Sequence, residues 1–219
     1  DVAAVIRIKT IKQRGQGWSG NVNLNYNQGR WAMANQQVSL NYRTGGLDIF
    51  AKGVLTENDL YGKTSAIIQI DGTDQWETTA EDTQTAIVRS FSTEVGFNYQ
   101  INEHHSFGAR YTPNGSLGDN SQHSWGENIA LCNDMEVSRT EFDTKSQGKR
   151  GWNHSVNAYY AGEIGRWVID FDADYLNNQS RTDQMAEDGS KQDIHSRSVS
   201  RSELYAAKLQ ASTSFGKGK

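Results

Sequence analysis

Apolar and polar residues alternate along several stretches of the chain, most regularly from residue 167 to residue 175. The apolar positions are Trp167, Ile169, Phe171, Ala173 and Tyr175, and the carboxylates between them are Asp170, Asp172 and Asp174. Successive side chains of a β-strand point to opposite faces, whereas a helix would mix the two sets around its axis. The run therefore predicts a long strand with one apolar face and one carboxylate face.

The same alternation recurs often enough to predict about eight long strands in total. The stretches that carry it are 17–26, 38–42, 47–55, 91–101, 107–111, 152–160, 167–175 and 205–215. With no helical periodicity elsewhere, the pattern predicts an all-β fold built as an antiparallel up-and-down meander.

The predicted connections alternate between two lengths. Short turns are expected at 44–46, 102–105, 161–165 and 216–219, and long polar loops at 57–83, 113–149 and 177–197. The first turn, at 27–30, is brief although a long loop is expected there. Within the second long loop the sequence leaves room for a hairpin, and 66–70 could pair locally. Short turns at one end and long loops at the other are typical of an outer-membrane barrel.

Composition narrows the choice of protein class. Apolar residues make up 35% of the 219 residues, and the chain contains one proline. No apolar run reaches the ~18 residues that a membrane-spanning helix needs, whereas barrel strands dilute their lipid-facing residues with polar ones. The net charge of −4 is interspersed and forms no basic stripe, so we expect no nucleic-acid partner. Cys132 stands alone, and the first residues have no signal-peptide pattern.

Two stretches near the start resemble TonB-dependent outer-membrane receptors of the bacteroidete type. Residues 5–12 (Val-Ile-Arg-Ile-Lys-Thr-Ile-Lys) are similar to the end of the plug domain, and 17–22 (Gly-Trp-Ser-Gly-Asn-Val) to the first barrel strand. Residues 38–43, 94–99 and 204–219 also resemble barrel segments of that family. Arg7 stands where the family has asparagine, and the plug proper and a TonB-contacting box are missing from this sequence.

The resemblance implies a division of the chain at residue 14. Residues 1–14 would be the end of the plug domain and its linker, and 15–219 the N-terminal part of a transmembrane β-barrel of roughly 22 strands. It further implies a bacterial outer-membrane protein that imports a nutrient, with lipid around the barrel, an extracellular ligand and the TonB complex as partners, the last through the missing plug. Open strand edges of such a partial barrel favour pairing between copies.

Few residues are candidates for chemistry, and we expect no enzyme, no cofactor and no metal site. Trp76 and Trp125, in the predicted extracellular loops, are the candidate ligand-binding residues because exposed aromatics serve as contact surfaces. The carboxylates of 170–174 lack the glycine and glutamate positions of a calcium loop and are expected to be a hydrated face. His104 and His105 have no third ligand in view.

Three alternatives remain open on the sequence. The first is a complete small outer-membrane barrel that acts as an adhesin or ligand-binding protein, in which the first and last strands would pair. The second is an outer-membrane hydrolase, which needs a nucleophile beside a histidine such as His154. The third is a soluble antiparallel sheet or sandwich with one face on a core.

Overall fold

A computed structural model describes residues 15–188 and 193–213. All of its regular secondary structure is β-strand. The strands are β1 (Gly17–Gln28), β2 (Ala32–Thr44), β3 (Leu47–Ile70), β4 (Trp76–Asn102), β5 (His105–Ser116), β6 (Asn120–Cys132), β7 (Met135–Gly148), β8 (Trp152–Ile164), β9 (Trp167–Asp188) and β10 (Asp193–Thr213). They form one antiparallel sheet, which confirms the predicted all-β, up-and-down fold. The predicted plug strand and the predicted last turn lie outside the described residues.

The sheet has two levels of different width. β5 and β6 lie end to end along β4, and β7 and β8 lie end to end along β9. At the level of the short turns the order is therefore β1-β2-β3-β4-β5-β8-β9-β10, which matches the predicted eight strands. Above it, β3, β4, β6, β7, β9 and β10 continue as a narrower sheet. We call this narrower part the upper wall; it comprises 59–70, 76–87, 120–148, 182–188 and 193–198.

Most residues of the three stretches predicted as long loops belong to paired strands, so the loop prediction is wrong for those residues. β3 and β4 run on to a tip between Ile70 and Trp76, β6 and β7 form their own hairpin, and β9 and β10 pair up to their described ends. Alternation marks a strand only when its two faces meet different surroundings. In the upper wall both faces carry polar residues, so the strands continue while the alternation that would have revealed them stops.

The lower sheet has one apolar face and one polar face but no second layer. None of the described hydrophobic side chains is buried; Leu40 is 50% exposed and Leu209 is 71% exposed. The polar face is joined by hydrogen bonds between strands: Asn157 Nδ2 donates to Asp172 at 2.6 Å and to Asp174 at 2.8 Å. The order of the sheet thus comes from its backbone ladders and cross-strand pairs rather than from a core.

The apolar face runs diagonally across the strands. Along the register, Trp18 of β1 corresponds to Ala173 of β9. The apolar run begins at Trp18 on β1, but on β9 it begins six residues lower, at Trp167 (from 167 to 173). Six residues span about 20 Å along a strand, and the six steps from β1 to β9 span about 29 Å across the sheet. The strands therefore lean by about 35° from the normal of this apolar band.

The short turns descend along the same diagonal. The first residue after the turn between β2 and β3, Leu47, has Tyr160 as its register partner on β8. The turn between β8 and β9 follows Ile164, which lies four residues below Tyr160 (from 160 to 164). The ends of the strands and the edges of the apolar band are therefore parallel. We define the apolar band as the same-face residues 18–26 of β1, 47–55 of β3 and 167–175 of β9, with their register partners on the intervening strands.

Candidate functional site

The upper wall brings together a histidine, a tryptophan, a carboxylate and a lysine on β6 and β7. The register places His123 opposite Lys145 and Trp125 opposite Asp143, so all four lie on one face of the hairpin. His123 Nε2 lies 2.8 Å from Asp143 Oδ2, and the His123 and Trp125 rings have centroids 4.4 Å apart. Lys145 Nζ lies 3.3 Å from Asp143 Oδ1.

The electrostatics of this cluster favour an ionised carboxylate. The hydrogen bond from His123 lowers the pKa of Asp143 below its ordinary value, partial desolvation opposes that shift, and Lys145 adds to the lowering. Asp143 thus remains an acceptor for hydrogen bonds across the physiological range. The side chains of His123 and Asp143 are each about one-third exposed, so the cluster remains accessible to a polar ligand.

A concavity of about 770 Å³ lies against the neighbouring strands. Its lining includes Trp31, His123, Lys145, Asp183, His195 and Arg197. Arg197 Nε lies 2.8 Å from Asp183 Oδ1, and Arg181 lies 3.3 Å from the other oxygen. The hydrogen bond from Arg197 lowers the pKa of Asp183. With charges of both signs, two histidines and an indole, the concavity is suited to a polar or zwitterionic small molecule.

The two tryptophans predicted as ligand contacts are present in the upper wall but lie in strands, not in loops. Trp76 is the first residue of β4, and Trp125 lies within β6 opposite Thr83. They are seven residues apart along β4 (from 76 to 83), or about 23 Å. An odd separation puts them on opposite faces. The structure therefore does not combine them into one site, and neither lines the large concavity.

Other residues considered in the sequence have structural partners. His104 Nδ1 lies 2.9 Å from Glu163 at the short-turn end, and His105 Nδ1 lies 2.7 Å from the Tyr160 hydroxyl. His154 Nδ1 lies 2.7 Å from the Tyr111 hydroxyl. Within residues 15–188 and 193–213, no three His, Cys, Asp or Glu side chains are grouped so that they could hold a metal ion. The same residues include no helix able to cross a membrane.

Sequence reasoning missed most of the concavity. Lys145, His195 and Arg197 lie in stretches predicted as loops, and Trp31 lies just beyond the first turn. Lys145, His195 and Arg197 are brought together by the β7–β9 and β9–β10 ladders, to which Trp31 does not belong. No periodic pattern in the sequence signals those ladders, because both faces of the upper wall are polar.

Comparison with known proteins adds no family assignment. No family model matches the sequence, and no curated protein matches it significantly. The fold therefore defines the class: a single-layer, antiparallel, up-and-down β-sheet with one apolar band and a polar upper wall.

Proposed function

We propose that this chain forms part of the wall of an outer-membrane TonB-dependent transporter, with the upper wall on the extracellular side. The observation that carries the proposal is the apolar band, which runs parallel to the line of short turns while the strands lean by about 35° from the normal of the band. Strands of outer-membrane barrels tilt by about 35–45° from the membrane normal. A flat membrane requires a level apolar band, and strands tilted in this way display it as a diagonal across the register.

The height of the band supports the same proposal. On β3 it extends over nine residues, from Leu47 to Leu55. Eight steps of about 3.3 Å give about 26 Å along the strand, and about 22 Å along the normal after the tilt. The apolar belt of outer-membrane barrels is about 25 Å tall. Lipid would then cover the exposed apolar side chains that no second protein layer covers.

The polar face and the strand edges favour a segment of a larger closed sheet. Hydrogen bonds such as Tyr159 to Asn98, at 2.9 Å, connect the strands on the polar face, which would face the plug and water. Among the described residues, β1 pairs only with β2 and β10 pairs only with β9. A complete small barrel requires β1 and β10 to pair, so we favour the transporter segment over the adhesin alternative.

In this proposal the upper wall contacts the nutrient ligand. Its concavity provides charged, aromatic and hydrogen-bonding groups for it, and import depends on a plug and the TonB complex. The residues of the lower sheet serve as a wall between lipid and the lumen.

Cys132 provides the test of orientation, because it ends β6 at the tip of the upper wall and is the one cysteine in the sequence. We expect a membrane-impermeant maleimide to label it on intact cells. The matched control carries Cys132→Ser and Glu103→Cys, which moves the thiol to the short turn between β4 and β5. That variant should label only after permeabilisation. Equal labelling of both variants on intact cells, or a native protein recovered in the aqueous fraction, would refute the proposed placement.

A further inference from the structure

We propose that the free edge of β3 in the upper wall, residues 59–70, binds an extended apolar peptide by strand addition, with the peptide's C-terminal carboxylate at Arg30. This inference concerns a surface separate from the concavity and goes beyond the proposed transport role. It is derived from the backbone pairing of β3, from the side chains along its edge and from the residues at the foot of that edge.

The edge is free because β3 extends beyond the end of β2, its neighbour on one side. The last register pair between β2 and β3 is Met33 with Asn58, whereas the β3–β4 ladder continues to Ile70 and Trp76. Over 59–70 the described residues therefore provide a partner on the β4 side only. An exposed edge of this length presents a row of unpaired N–H and C=O groups, which are a template for another strand.

The register identifies which residues present those groups. Thr44 and Leu47 close a two-residue turn, so they and every second pair above them exchange hydrogen bonds between β2 and β3. Gly46 O accepts from Gln100 N at 2.8 Å, which places the even positions toward β4. The N–H and C=O groups directed at the free side belong to Asp59, Tyr61, Lys63, Ser65, Ile67 and Gln69.

The side chains along the edge favour an apolar partner. Ile67, Ile68 and Ile70 are 63%, 59% and 61% exposed. These isoleucines lie above the apolar band, and lipid would not reach them in the membrane placement of the proposed function, on which this step rests. The edge has no proline or bulge, and its one lysine, Lys63, is 3.5 Å from Glu81. Proteins usually protect exposed edges with such features. A β-branched peptide would cover the isoleucines by cross-strand pairing.

The lower end of the edge, beside Asp59 and the turn with Arg30 and Trp31, is called its foot, and it has the properties of a carboxylate site. The Arg30 guanidinium carbon lies 4.1 Å from the centre of the Tyr61 ring, and Trp31 contacts the same ring edge-to-face. A concavity of about 380 Å³ is lined by Arg30, Trp31 and Asp59. Asp59 Oδ1 accepts a hydrogen bond from Arg89 at 3.2 Å. No described carboxylate lies within ion-pair distance of Arg30.

The direction of β3 determines which end of the peptide reaches Arg30. β3 runs from the short turns toward the tip, so an antiparallel partner runs from the tip toward the foot, and its C-terminus arrives beside Arg30 and Trp31. A free carboxylate there would pair with the guanidinium, for which charge-assisted hydrogen bonds provide the attraction.

A second copy of the chain fits this edge less well than a peptide. A second copy that paired through the same edge would be antiparallel to the first. Its tip would point the opposite way, which two copies in one membrane cannot achieve.

The test uses the full-length native protein in detergent and a twelve-residue peptide of alternating valine and threonine, as long as the edge from Asp59 to Ile70, with a fluorescent label on its N-terminus and a free C-terminus. Binding is followed by fluorescence anisotropy. We expect Ser65→Pro to weaken binding by about tenfold or more, because proline removes an edge donor and obstructs a paired strand. The β3–β4 ladder keeps its hydrogen bonds, since the Ser65 N–H faces the free side. The matched control, Ser65→Ala, keeps that N–H and should bind like the wild type.

Arg30→Gln tests the foot separately and leaves the backbone unchanged. The wild type should bind the free acid about tenfold more tightly than the C-terminal amide, as expected for loss of a charge-assisted contact. The variant should bind both forms alike, at the affinity of the wild type for the amide. Equal binding by Ser65→Pro and wild type would overturn the strand addition, and no preference for the acid would overturn the carboxylate assignment. A peptide-free oligomer that Ser65→Pro disrupts would assign the edge to a second copy and also overturn the proposal.

Discussion

The apolar band and the upper wall lie on the same strands yet differ in nearly every property of their side chains. On β3, residues 47–55 keep charged side chains (Asp48 and Lys52) to one face only, whereas 59–70 carry polar residues on both faces and place Ile67 and Ile68 on opposite faces with similar exposure. The backbone does not distinguish the two regions, since the β3–β4 register is continuous from Leu47 to Ile70. The difference lies in what surrounds each face.

This comparison separates two causes of β-structure. In the band, alternation fixes the register, because a slip by one residue would turn every apolar side chain to the polar face. In the upper wall no such preference exists, and the register depends on the ladders themselves and on specific pairs such as His123–Asp143. Variants in the band alone or in the upper wall alone can therefore test whether the two regions are stabilised in different ways.

The largest expected effect comes from a charge on the apolar face of the band. Ile49→Arg should destabilise the folded protein in lipid vesicles by about 2 kcal/mol, since arginine on the lipid face costs about 2–4 kcal/mol at the midplane and less toward the interfaces. The matched control, Ile67→Arg, changes the same residue type on the same strand and face above the band. It should alter stability by less than about 0.5 kcal/mol.

Both variants are compared by urea titration of the free energy of unfolding in vesicles. Similar costs for the two arginines would mean that the apolar face of the band is no more enclosed by lipid than the upper wall, and the proposed membrane level would be wrong. A cost for Ile67→Arg alone would reverse the assignment of the two regions.

The same contrast explains how much could be predicted from sequence. The lower strands were predictable because residues such as Trp167, Ile169 and Phe171 repeat at every second position, and lipid or a core is the physical reason for that repeat. The β6–β7 and β9–β10 extensions were not predictable, because Lys145 and His195 belong to strands with two polar faces. Trp125 is a candidate on the sequence because it is a tryptophan in a predicted long loop. Its contact with His123 depends on the β6–β7 ladder, which no periodic pattern in the sequence signals.

A smaller effect is expected where the upper wall joins the lower sheet. Asp119 lies between β5 and β6; its Oδ1 accepts from Arg150 N at 2.9 Å, and its Oδ2 lies 3.1 Å from Lys149 Nζ. It thereby connects the break between β5 and β6 to the break between β7 and β8. We expect Asp119→Ala to speed amide hydrogen exchange in 120–148 and to leave 91–101 unchanged, as measured by mass spectrometry.

Asp119→Asn serves as the graded variant, because its amide oxygen can still accept from Arg150 N while its charge pair with Lys149 is lost. Its exchange rates should fall between those of the wild type and Asp119→Ala. Faster exchange in both regions would show that the two levels unfold as one unit and would remove the distinction drawn here.

The smallest effect is expected when the pH is lowered, and it concerns the hydrogen-exchange protection of the upper wall. Hydrogen bonds lower the pKa values of Asp119 (mainly from Arg150), Asp143 (mainly from His123) and Asp183 (mainly from Arg197) below the ordinary value of 3.8. A carboxyl group whose pKa is lowered by folding stabilises the folded state above its unfolded pKa, and this contribution is lost as the pH falls through the folded pKa. The upper wall should therefore keep its protection at mildly acidic pH and lose part of it below pH 3.8. The band, which lipid covers in the proposed placement, should not. Hydrogen exchange, corrected for the intrinsic effect of pH, measures both regions in one sample. Asp143→Asn should reduce the acid response of 120–148 because it removes one titrating group, and an undiminished response would assign the effect to other carboxylates of the upper wall.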